Sequence, residues 1–170
     1  MDLNALRRIS YGMYIVGSHK GEKLNAQIAN SVIQITSEPP TVAVSINKKN
    51  LTHEYIKESK VFSVSILCQT APLPFIGNFG FKSGRDTDKL KGINYKIGQT
   101  GSPGIIDHAS AYFEAEVTQS VDTGTHTIYI GNIVDAVVLN DIPCMTYEYY
   151  QQVKRGTTPK TAPSYITKVQ

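Results

Sequence analysis

The residues with the most chemistry to offer lie between positions 24 and 52, in the stretch LNAQIANSVIQITSEPPTVAVSINKKNLT. Asn25, Gln27, Asn30 and Gln34 interrupt an apolar, β-branched run over residues 28–36. A buried amide without a partner is costly, so this strand needs something polar to satisfy it. Glu38-Pro39-Pro40 forces a turn into a second run at residues 41–46. That run empties into Ser45-Ile46-Asn47-Lys48-Lys49-Asn50-Leu51-Thr52 and a helical pattern over 53–60, for which Asn50 or Thr52 serves as N-cap. A strand end, hydroxyls, two lysines and a helix N-terminus together make an anion site. A phosphate there gains from free N–H groups and the helix dipole, each exposed charge contact being worth about 0.3–1 kcal/mol.

Other reactive side chains carry weaker signals. His126 lies between Thr125 and Thr127 in a strand pattern, without a carboxylate beside it in sequence. Such a histidine is more often a cross-strand packing residue than an acid. Cys68 and Cys144 are far apart in apolar surroundings, with no CxxC spacing, and are expected to be buried thiols without chemistry. Gly77-Asn78-Phe79-Gly80 lacks the order of a dinucleotide-binding fingerprint, so no Rossmann-type site is expected.

The elements that must position these residues read as mainly β. Asp2 caps a short helix over 2–8, residues 11–18 form a strand, and 19–23 turn the chain back into the amide-bearing strand as a hairpin. Residues 61–67 alternate apolar and Ser as a half-buried strand does. Pro72 and Pro74 open a helix over 73–79. The glycine-bearing segment 80–90, charged on both signs, reads as a solvated loop, followed by a glycine-rich loop at 92–104 around a short strand, 95–97. Residues 110–121 and 125–139 are long strands joined at Asp122-Thr123-Gly124, and 146–154 is a short helix. Six or seven mostly antiparallel strands with three or four short helices argue for a closed or nearly closed barrel.

Composition sets outer bounds. A chain of 170 residues with 41% hydrophobic and 18% charged residues can bury a core as one globular domain. No apolar run approaches the roughly 20 residues that span a bilayer, and Met1-Asp2-Leu3 begins no signal peptide, so a cytoplasmic protein without membrane contact is expected. A net charge of +3 is too weak and scattered for nucleic acid, but suits small anionic ligands.

Five segments carry a family resemblance: ISYGMYIV from Ile9, QIANSVIQIT from Gln27, FIGNFGF from Phe75, GTHTIYIG from Gly124 and YYQQVKRGTTPK from Tyr149. In order and over nearly the whole chain, they resemble the flavin reductase-like FMN-binding proteins, including flavoredoxins, archaeal ferric reductase and the flavin domain fused to rubredoxin. The resemblance implies an antiparallel, Greek-key split barrel, a homodimer, and two-electron uptake by FMN from NADH or NADPH, with electrons passed to free flavin, ferric complexes or a small redox protein. By position, it implies that Gln27, Ile28, Ala29, Asn30 and Ser31 hold the isoalloxazine and ribityl. Ser45, Ile46, Asn47, Asn50 and Thr52 fall on the ribityl and phosphate, matching the anion site argued from chemistry. Phe81, Lys82 and Ser83 close over the phosphate or nicotinamide side, and His126 sits near the flavin edge where substrates dock. Some relatives have Cys where this chain has Ser45, which removes a soft ligand near the flavin. Two other readings predict different behaviour: an FMN carrier reduced only by a protein donor, and a colourless OB-like barrel that binds single-stranded nucleic acid.

Residues 1–150 are then the barrel domain and 151–170 an arm. The segment 147–168 that carries it, with Tyr147, Tyr149, Tyr150, Tyr165, Lys154, Arg155, Lys160 and Lys168, supplies aromatic area and charge, while Pro159 and Pro163 stop the arm folding back as a helix. Packing on a second subunit buries that area. The resemblance sets Lys154 or Arg155 near the neighbour's phosphate. No cysteine-rich segment follows Gln170, so a redox-protein partner is expected as a separate chain.

Overall fold

A computed structural model describes residues 2–165; Lys168 of the expected arm lies outside them. After a 3-10 turn at Leu3–Arg8, the order is β1 (Tyr14–Lys20), β2 (Lys23–Ala29), β3 (Val32–Ser37), β4 (Pro40–Asn47), α1 (Leu51–Ser59), β5 (Val61–Leu67) and α2 (Leu73–Gly80). Then follow β6 (Tyr95–Ile97), β7 (Pro103–Ile105), β8 (Ala109–Asp122), β9 (His126–Val138) and α3 (Tyr147–Gln152).

Seven strands form one antiparallel sheet in the order β2-β1-β5-β8-β9-β4-β3, and β6 pairs only with β7. The sheet's two end strands, β2 and β3, are consecutive in the chain, so the sheet curls until its ends are joined by Asn30-Ser31. Beside that junction Ser45 N donates to Ser31 O at 3.0 Å, extending the β3–β4 ladder by one pair. This is the expected mainly β split barrel with a few short helices.

The expected single strand over 28–36 is instead two strands. Tyr14↔Ala29 is the last pair of β1 with β2, after which the chain bends at Asn30 and restarts beside β4 at Val32↔Val44. Ser31 Oγ donates to Asn30 Oδ1 at 3.2 Å, a local bond that competes with the ladder. The turn expected over 19–23 shrinks to Gly21-Glu22, with Gly21 at φ +57°, and the first hairpin forms as expected. α1 begins two residues earlier than expected and stops at Lys60, whose φ of 62° is left-handed. β7 has no signal in the sequence because Pro103 and Gly104 are poor strand formers.

Hydrophobic burial divides between the faces of the sheet, with Ile15 in one cluster and its neighbour Val16 in the other. On one face Val16, Val44, Ile46, Phe62, Val64 and Tyr129 enclose Ile56 of α1. On the other, Met13, Ile15, Leu67 and Met145 pack under Phe75, Ile76 and Phe79 of α2. Fully burying each such side chain is worth about 1.5–3 kcal/mol. Among the described residues, no helix is long and apolar enough to cross a membrane.

Candidate active site

The amides of β2 sort by strand periodicity. Leu24, Ala26 and Ile28 pack into the α2 cluster, so Asn25 and Gln27 face the other side of the sheet. Asn25 Nδ2 donates to Thr52 Oγ1 at 2.7 Å, with both side chains buried. Gln27 Nε2 makes a long bond of 3.4 Å to Ile28 O, and its Oε1 is buried without any partner. Asn30 Nδ2 donates to Ser164 Oγ at 2.6 Å. Gln34 lies outside this set, exposed on β3 and bonded to Thr36 O.

The β4–α1 junction supplies the second wall. Asn47 Oδ1 accepts from Lys49 N at 3.0 Å, shaping the turn into the helix. Asn50 occupies the N-cap position but makes no side-chain capping bond, and although His53 N donates to Asn50 O at 3.1 Å, the N–H groups of Leu51 and Thr52 are left open to a ligand. The two lysines expected here part company. Lys48 turns away to Asp122, with Nζ at 2.6 and 2.5 Å from the two carboxylate oxygens, and that bond holds the carboxyl below its ordinary range. Lys49 faces the cavity.

Between these walls lies a cavity of about 340 Å³, closed by α2, the segment after it and residues 157–163. Gln27, Ile28, Ala29, Asn30, Ser45, Asn47, Asn50, Thr52, Phe81, Lys82 and Ser83 all line it. Four candidates do not. Ser31 turns its hydroxyl to Asn30, and Ile46, fully buried, points into the barrel cluster by strand alternation. Lys154 Nζ stands 6.0 Å from the centroid of the Tyr149 ring.

His126 pairs with Asn47 across β9 and β4 and meets the arm rather than the cavity. Its Nε2 lies 3.2 Å from Thr161 O and its Nδ1 2.9 Å from Thr125 Oγ1. A carbonyl only accepts, so the Nε2–H tautomer donates to Thr161 and Nδ1 accepts from the threonine. Asn47 Nδ2 donates to the same carbonyl at 3.3 Å, so β4 and β9 jointly grip the arm.

Sequence reasoning missed several lining residues. The segment read as a solvated loop contains Lys89, only 5% exposed, and Leu90, also buried. Lys89 Nζ donates to Phe79 O at 3.3 Å, and among the described residues it has no carboxylate in ion-pair range. Burial pushes its pKa down from 10.5 to about 8. Leu90, apolar in a charged run, was the available signal. Gly84 approaches β2 so closely that a Cβ would stand 2.0 Å from Asn25 Oδ1, whose amide is already tied to Thr52. Tyr147 and buried Tyr150 complete the cavity, Tyr150 donating to Thr157 O at 2.9 Å.

An unpartnered amide oxygen, an uncapped helix N-terminus and a buried cation facing one cavity with apolar walls suit a planar heterocycle carrying N–H donors and a phosphate. Residues 6–158 match the flavin reductase-like domain. The chain belongs to that family. Within the family, it is 56% identical over 165 residues to the high molecular weight rubredoxin of Moorella thermoacetica, covering 97% of this chain and 72% of the relative. It is 47% identical over 166 residues to the ferric-chelate reductase (NAD(P)H) of Archaeoglobus fulgidus, covering 98% of each. Among solved structures, an FMN-binding protein of Thermus thermophilus superposes with a TM-score of 0.71 at 26% identity, covering 78% of this chain and 74% of that one. The flavin reductase-like match ends at residue 158, before the Thr161 and Ser164 contacts of the arm.

Proposed function

We propose that this chain holds FMN in the β2–α1 cavity, takes two electrons from NADH or NADPH, and passes them to free flavin, a ferric complex or a small redox protein, working as a cytoplasmic homodimer. It is an NAD(P)H-dependent flavin reductase-like oxidoreductase with FMN as cofactor. The observation that carries the reading is the buried, partnerless Oε1 of Gln27 in the same cavity as the uncapped start of α1.

Bound FMN supplies a centre that accepts a hydride and releases electrons. The chain's part is to bind, orient and shield. Gln27 Oε1 accepts from a ring N–H, ending its own unsatisfied state. Open N–H groups at the start of α1, with Lys49 and Asn50, hold a phosphate at the positive end of the helix dipole. Ile28, Ile76 and Phe79 give the ring an apolar wall and keep water from it. Lys89 brings a positive charge into that wall, which favours electron-rich ligands. Hydride transfer needs no protein acid, so the solitary His126 fits an orienting role at the rim better than proton transfer. Exposed Ile33 and Ile35 on the edge strand β3 and the tyrosine-bearing arm supply apolar area for a second copy.

The test is to mix the yellow protein with NADH or NADPH without oxygen and follow the visible flavin absorbance. Bleaching within seconds is expected. Bleaching by dithionite but by neither nucleotide would replace the enzyme with a carrier reduced by a protein donor, and a colourless protein that takes up no FMN would end the reading.

A further inference from the structure

Cys68, just after β5, and Cys144, beyond β9, face each other as an isolated antiparallel bridge. Met145 N donates to Leu67 O at 2.7 Å and Gln69 N to Pro143 O at 2.9 Å, so the hydrogen bonds flank the pair. That makes it a non-hydrogen-bonded pair, whose Cα atoms lie about 4.5 Å apart with side chains on one face. A disulfide requires a Cα separation of roughly 4.4–6.8 Å. The expectation of two buried thiols is thus corrected: Cys68 is buried, but Cys144 is exposed. Cys144 Sγ lies 3.3 Å from Ser110 Oγ at the start of β8, and Cys68 Sγ 3.7 Å from Asn140 Oδ1 just after β9.

We propose that Cys68 and Cys144 form a redox-active dithiol that closes to a cross-strand disulfide by exchange with a small-molecule disulfide. Cys144, the accessible sulfur, attacks the reagent, forming a mixed disulfide and releasing one thiol. Cys68 then attacks the Cys144 sulfur, forming the internal S–S bond and releasing the second thiol. Two electrons pass from the protein sulfurs to the reagent, and the two protons end on the released thiols. The disulfide's effect reaches the cavity: the bond ties the end of β5 to the segment leading into α3, whose Tyr147 and Tyr150 line the site.

The chain has only these two cysteines, so the test is direct. The folded protein is equilibrated with reduced and oxidised glutathione at graded ratios, quenched with an alkylating agent, and weighed by mass spectrometry. The expected product is a single chain lighter by two hydrogens, both thiols vanishing together. Its midpoint should tolerate about tenfold or more reduced glutathione than in the same protein in denaturant, because the fold raises the effective concentration of one thiol at the other. Cys68→Ser should stall as a stable glutathione adduct on Cys144, and Cys144→Ser should leave Cys68 unreacted while folded. A wild-type adduct with Cys68 still reduced, a covalent dimer, or a folded midpoint no better than the denatured one would overturn the proposal. These wild-type readings decide it even if a serine variant does not fold.

Discussion

Replacing Lys89 with Met should make the flavin-free protein more stable and the flavin complex weaker. The ammonium is buried with a single carbonyl partner, and its pKa falls from 10.5 to about 8. At about 1.4 kcal/mol per pH unit, keeping it charged near neutrality costs the folded state roughly 3 kcal/mol. Met keeps the length and removes the charge. Forfeiting the bond to Phe79 O costs about 1 kcal/mol, so the net gain without flavin is roughly 1–2 kcal/mol. Between pH 8 and 10.5 the unfolded chain binds the proton that the folded one does not, so wild-type stability rises with pH across that window and is flat below it. In Lys89→Met that rise disappears. With FMN the balance reverses, because a charge-assisted contact worth about 1.5–3 kcal/mol is lost and affinity falls roughly 10- to 150-fold. Urea unfolding of flavin-free protein at about pH 7 and about pH 9.5, with FMN fluorescence titration, measures both sides. A Met variant that is less stable without flavin and unchanged in FMN affinity would refute the reasoning.

Riboflavin should bind distinctly worse than FMN, since the start of α1 is read as a phosphate cradle; equal affinities in the same titration would sink that reading. Thr52→Ala should cost about 1–3 kcal/mol in urea unfolding, because Asn25 Nδ2 loses its acceptor in a buried place, and should also weaken FMN. His126→Ala should retain FMN but slow turnover or alter nucleotide KM, and should free the arm for proteolysis; unchanged turnover with a lower Tm would return the histidine to packing. Truncation after Val153 should weaken FMN binding and dimerisation together, as read by titration and sedimentation. A truncated protein that stays dimeric, yellow and fully active would show that the arm contributes nothing to either.

Much of the site was legible because its determinants are local. Amides alternating with apolar residues on β2, and a strand end running into a helix start, are patterns within one stretch of chain, and most of the candidates drawn from them line the cavity. What escaped depends on tertiary placement. Lys89 is buried only because Asn78 Nδ2 anchors its carbonyl at 2.8 Å and Leu90 packs inward, which a run of alternating charges does not reveal. The bend at Asn30 splits one β-branched run into two strands, a choice made by the curling of the sheet rather than by propensity. The arm was read as reaching for a partner, and in the single chain its Thr161 carbonyl meets Asn47 and His126 of the same barrel. Whether that grip closes within a chain or between two is a matter of connectivity, not of side-chain chemistry.

The seam between β2 and β3 gives the cavity a mechanical meaning. Five of the strands in the main sheet have hydrogen-bonded neighbours on both sides, while the two at its ends are held to each other by the Asn30-Ser31 linkage. A ligand bridging Gln27 on one end strand and Asn47 beside the other would act as a rivet across the gap. The hoop is then stiffest when loaded, and what the cofactor gives the fold is circumferential tension that backbone pairing leaves out.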